Sequence, residues 1–181
     1  MEMGGESMTI PALNGYFSVS ATVAGSLIGL LYIAITLRYD YILGPRAPRR
    51  NRALAASAFA ALANALAISV WALIPGVDLG YPAGIMAVVC LYTMFQTHFR
   101  TVGQRQAANH LFILSMGVYL FELGLSVLLI WHPRHIQLVY VLSYIVFAAL
   151  VAALIRSWEL LQAEASPDSG DNDTDTSARG M

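Results

Sequence analysis

The stretch Leu111-Phe-Ile-Leu-Ser-Met-Gly-Val-Tyr-Leu-Phe-Glu-Leu-Gly-Leu-Ser-Val-Leu-Leu-Ile-Trp131 decides the fold. It is 21 residues long and carries a single charge, Glu122. A bilayer core about 30 Å thick is crossed by a helix of about 20 apolar residues. An acidic residue near the middle of such a helix costs about 2.5–3.5 kcal/mol, and each central Leu, Ile, Phe or Val returns about 0.3–0.6 kcal/mol. Thirteen such residues surround Glu122, so insertion is favoured even after those near the ends are discounted. Four other stretches then qualify more easily. Phe17–Leu37 and Ala53–Ile74 contain no charge, Tyr81–Phe99 is shorter and ends in polar residues, and Leu138–Ile155 closes at Arg156. These runs are too long for strands and show no ten-residue alternation. The expectation is an all-α integral membrane helical bundle of five transmembrane helices.

The joints between these stretches set the orientation. Arg38–Arg52 is the longest and is broken by Gly44, Pro45 and Pro48, so it reads as a loop. Pro75–Gly80 is a tight turn, Arg100–His110 is polar and able to prolong either neighbouring helix, and His132–Gln137 is built around Pro133. Five spans put Arg38, Arg46, Arg49, Arg50, Arg52, Arg100, Arg105 and Arg156 on one side and only Arg134 on the other. Basic residues near spans stay cytoplasmic, which predicts an N-terminus outside and a C-terminus inside. Met1–Tyr16 carries Glu2 and Glu6 and no basic residue, unlike a secretory signal, and reads as an extracytoplasmic segment. The spans then lie within 17–161. Residues 162–181 form an acidic cytoplasmic tail, expected to be disordered, with Asp168, Asp171, Asp173 and Asp175 among Ser, Thr and Gly. Trp131, Trp158, Tyr16, Tyr39, Tyr41 and Tyr81 stand at span ends, where amphipathic rings anchor at headgroup level.

Composition excludes several classes. The 181 residues are 57% hydrophobic and 12% charged, with mean hydropathy +0.62. A soluble domain is about 45–50% apolar and about 25% charged. The net charge of −1 leaves no basic footprint for nucleic acid. One cysteine, Cys90, cannot form an intrachain disulfide.

Glu122 is the most expensive residue to bury, and an intramembrane ionisable group reads as a functional site. Ser115, Tyr119, Glu122 and Ser126 follow at spacings of 4, 3 and 4, which aligns them as one polar stripe on a helix. The stripe is a candidate ion or proton site; the competing reading is a polar contact that joins helices. Asn64 lies near the middle of its own span beside Ser57, Ala61 and Ala65, and similar depth allows it to meet Glu122. Gly25 and Gly29 form a G-x-x-x-G, with Ser18, Thr22 and Ser26 as a second small stripe, and fit packing within the chain or between copies. Gln96, His98, Arg100 and His110 gather at one level as candidate gating or interfacial residues. His132 and His135 make a lone H-x-x-H, short of the three or four ligands that a metal site needs. No hydrolase, phosphate-binding or metalloprotease motif occurs, so neither an enzyme nor a cofactor is expected.

The run Gly25-Ser-Leu-Ile-Gly-Leu-Leu-Tyr-Ile-Ala-Ile-Thr-Leu37 resembles the opening helix of small bacterial inner-membrane proteins of unknown function. In those, an Ala/Gly-rich start leads through a G-L core to a basic loop. The resemblance covers one span of five and implies a helical inner-membrane (plasma-membrane) protein and nothing catalytic. One potassium-channel family opens with Phe-Ser-Asp; here Phe17-Ser18-Val19 lacks the acid, and no T-V-G-Y-G filter is present. Two functions remain in view. The first is an oligomeric ion channel, or a proton- or cation-coupled transport component, built on Glu122. The second is a non-conducting structural or regulatory membrane subunit that binds a protein partner. An enzyme acting on a lipid-soluble substrate ranks behind both.

Overall fold

The computed structural model describes residues 6–45, 47–101, 107–132 and 135–162, with side chains 6–12, 49–50, 97–101, 107–112, 114 and 161–162 left aside. Beyond Gln162, the last residue of α6, the acidic tail therefore lies outside the described residues. Six helices follow in order: α1 Glu6–Leu37, α2 Tyr39–Ile42, α3 Arg49–Ala72, α4 Gly80–Thr101, α5 Ala107–Trp131 and α6 Ile136–Gln162. No strand occurs among the described residues. Three helices are long and apolar enough to cross a membrane, over Leu13–Leu37, Asn51–Ala72 and Ile136–Leu160, and Ser115–Trp131 is a shorter apolar helix.

Helix α3 is central because its sequence is rich in small residues. Ala55, Ala58, Ala61 and Ala65 are all buried, at spacings of three and four. Small side chains let backbones approach, and α3 packs on α1, α4 and α6. Helices α3, α4, α5 and α6 contact one another in a ring, and α1 lies outside it against α3 and α6. On the diagonal, α3 and α5 share no backbone contact among the described residues. One apolar cluster joins Phe17, Ile68, Ala83, Leu129 and Leu142; another joins Ile42, Ala55 and Leu160. The starts of α1, α4 and α6 thus share one end with the finishes of α3 and α5, so the five long helices alternate in direction.

The loop expected over Arg38–Arg52 contains a helical turn. The Arg38 carbonyl accepts bonds from the Tyr41 and Ile42 amides at 3.1 and 3.0 Å, and Ile42 is buried against Ala55 and Leu160. Asn51 Nδ2 donates to the Tyr41 carbonyl at 3.4 Å, and Arg52 donates to the Gly44 carbonyl. The first helix also begins well before Phe17, so part of the expected N-terminal segment is helical. The turn before α4 uses Gly76 at φ 77°, and Asp78 Oδ1 accepts the Gly80 amide at 2.9 Å. That bond satisfies a free N–H of the first helical turn.

The outer surface is greasier than a soluble protein tolerates. Leu30, Ile85, Ile113 and Phe147 are each more than half exposed, as are Trp131 and Trp158 at the helix ends. Contiguous apolar surface of this kind needs an apolar surrounding. Together with the three long apolar helices, it makes this a membrane protein.

Candidate functional site

Four polar residues of α5 point into the ring. Ser115, Tyr119, Glu122 and Ser126 are all buried, and Glu122 is fully so at 0% exposure. Across the diagonal stands Asn64 of α3, at 1% exposure. Its Nδ2 donates to both Glu122 oxygens, at 2.9 and 3.1 Å. Asn64 is the sole hydrogen-bond partner of the carboxylate among the described residues, and no cation of theirs pairs with it. Asn64 Oδ1 is buried and accepts no bond. A side-chain bridge therefore fills a diagonal that the backbones leave open. Leaving a buried acceptor unpaired costs about 1–3 kcal/mol, so this amide oxygen has capacity for one more donor.

One turn along α5 from Glu122, Tyr119 packs with Cys90 and Met94 of α4. The Cys90 thiol donates to the Ala60 carbonyl of α3 at 3.8 Å and packs against Tyr119. A further turn on, Ser115 Oγ accepts from Arg156 of α6, whose other guanidinium nitrogen donates to the Ser57 carbonyl of α3 at 3.3 Å. The four ring helices together build a polar axis of carboxylate, amide, thiol, phenol, hydroxyl and guanidinium.

Ser126 has a different task. Its Oγ donates to the Gly80 carbonyl at 2.6 Å and clamps α5 to the start of α4. Gly80 and Gly84 make the clamp possible. A Cβ on Gly80 would stand 2.6 Å from Ile130 Cγ1, and one on Gly84 would stand 2.5 Å from Ser126 Oγ.

The remaining candidates separate from this axis. Gly25 and Gly29 are exposed, with open space where a Cβ would be, so they make no packing contact with the described residues. The adjoining hydroxyls satisfy themselves: Thr22 donates to the Ser18 carbonyl at 3.0 Å and Ser26 to the Thr22 carbonyl at 2.9 Å. Gln96 donates to the Tyr92 hydroxyl at 2.5 Å along its own helix. The side chains of His98, Arg100 and His110 lie outside the described residues. His132 and His135 meet edge to face at 5.4 Å.

Sequence reasoning missed Arg156, Cys90, Gly80 and Gly84 as site-building residues. The signal was present as helical spacing. Arg156 falls in line with the buried Ala149, Ala153 and Leu160, and Cys90 with Ala83, Ala87 and Met94. Comparison of the chain with protein-family models, curated proteins and solved structures returns no match.

Proposed function

We propose that the chain is a five-pass protein of the plasma (inner) membrane in which Glu122 is the proton-exchange site of a proton-coupled transport component. One observation carries this reading: a fully buried carboxylate whose only described partner is a neutral amide. An unpaired charge in such surroundings is costly, and a bound proton removes that cost. Alkali and alkaline-earth cations fit less well. They need a shell of oxygens, whereas this carboxylate already faces an N–H donor and the amide adds one free oxygen. A proton needs no shell. Glu122 also faces the interior of its own bundle, so a pore formed between copies would not be lined by it. That weighs for a transport component over an oligomeric channel.

Alternating helix direction supports five spans. It gathers the arginine-bearing joints at one end, and basic residues favour the cytoplasmic face. The N-terminus is then outside, the C-terminus is cytoplasmic, and the Glu122–Asn64 pair lies near mid-membrane.

The exposed Gly25 and Gly29 face favours a second reading, a non-conducting subunit that docks a membrane partner or another copy along α1.

Proton and potassium flux into liposomes containing the purified chain distinguishes the two. Wild type should admit protons under an imposed potential, and Glu122→Gln should be about 10²-fold slower, the scale for losing a positioned proton-transfer group. Glu122→Gln with wild-type proton flux, or a wild type that moves no protons under any gradient, overturns the proton reading.

A further inference from the structure

Arg156 stands where a helix-end arginine would normally extend toward water. Here it turns inward and is partly buried. Its guanidinium ties α6 to the Ser57 carbonyl of α3 and to the Ser115 hydroxyl of α5. Ser115, Tyr119 and Glu122 are successive inward positions of α5, so Arg156 occupies the last described step of the polar axis at the end shared by the start of α3 and the finish of α6. Between it and the carboxylate lie Tyr119 of α5 and the Cys90 thiol packed against it, which donates to the Ala60 carbonyl, between Ser57 and Asn64 on α3. A fixed positive charge in a low-dielectric passage repels cations. The fork geometry of arginine holds two acceptors on two helices at once, and its long stem allows the head to swing out to water.

We infer that Arg156 is the closure of the Glu122 site on its arginine-bearing side: bonded to Ser57 and Ser115 it seals the axis, and released it opens that side to water. The inference rests on the proton reading of Glu122 and specifies how that site is regulated. Release exposes Tyr119 and Cys90 before Glu122, so water reaches the thiol only when the closure is open.

Cys90 is the single cysteine of the chain and therefore a built-in reporter. The probe is a sulfonated maleimide, which is anionic and does not cross the bilayer. It is applied to spheroplasts and to inverted membrane vesicles bearing the full chain. Wild-type Cys90 should react slowly from both sides. Arg156→Gln should speed the reaction at least about tenfold in inverted vesicles alone, as expected for losing a charged hydrogen bond. Removing a positive charge weakens attraction for an anionic probe, so the charge change opposes the expected result. Arg156→Lys keeps the charge, loses the fork, and should fall between. An unchanged rate in Arg156→Gln, or an equal rise from both sides, overturns the closure, as does fast wild-type reaction from the arginine-bearing side. Should Arg156→Gln not accumulate, Ser115→Ala decides: a rise from that side alone supports the closure, and the wild-type rate overturns it. Labelling does not depend on flux, so a chain that moves no protons yet shows one-sided labelling overturns the proton reading and leaves the closure in place.

Discussion

At the scale of single residues, the Asn64–Glu122 pair makes opposite demands on stability and function. Asn64→Ala leaves a buried carboxylate with no donor among the described residues. It should cost about 1–3 kcal/mol, read as a lower Tm in detergent. Glu122→Gln behaves differently. Its amide oxygen still accepts from Asn64 Nδ2, while its new N–H groups can reach Asn64 Oδ1, which has no donor in the present structure. That variant should match or exceed wild type in Tm while losing proton flux. A lower Tm would show that the carboxylate itself is part of the packing. The α5 stripe was legible in advance because helical spacing is a local property of the sequence. The depth of Asn64 was legible for the same reason. Their azimuth was not, since it depends on how α4 and α6 hold α3 and α5 apart. Arg156 was hidden by its place at a span end, where arginine usually serves to set orientation.

At the scale of elements, two glycine pairs with the same spacing do different things. Gly80 and Gly84 sit at the α4–α5 contact, where an added Cβ meets Ile130 and Ser126. Gly84→Val should overpack that contact and cost about 1–3 kcal/mol, seen as a lower Tm and a broadened transition. Gly25→Ala and Gly29→Ala meet nothing among the described residues, and each should leave Tm unchanged or raise it by helix propensity of about 1 kcal/mol. A marked fall in Tm for these, together with a change in oligomeric size, would show that a second copy covers α1. The sequence motif could not separate the pairs. G-x-x-x-G reports only that a face is small, and what the face meets is decided by helices distant in sequence. The turn Tyr39–Ile42 escaped notice because breakers at Gly44, Pro45 and Pro48 masked an anchor, the buried Ile42.

At the scale of the whole molecule, the helices and their extents were largely legible, because a long apolar run has few ways to satisfy its backbone. The ring with one outlying helix was not, since hydropathy carries no neighbour information. The proposed threading makes a direct prediction. In a Cys90→Ser background, Asp40→Cys should react with an impermeant maleimide only in inverted vesicles, and Asp78→Cys only in spheroplasts. Reaction of both from one side would remove the five-span arrangement. The open diagonal between α3 and α5 also bears on biosynthesis. Chains are made from the N-terminus, so in the proposed threading Asn64 enters the bilayer two helices before Glu122 exists. The cheaper polar group waits, and the dearer one arrives to find its donor already in place. On that threading, order of synthesis spares the nascent protein a stranded carboxylate, and a chain with its helices permuted to put α5 before α3 would lose that protection.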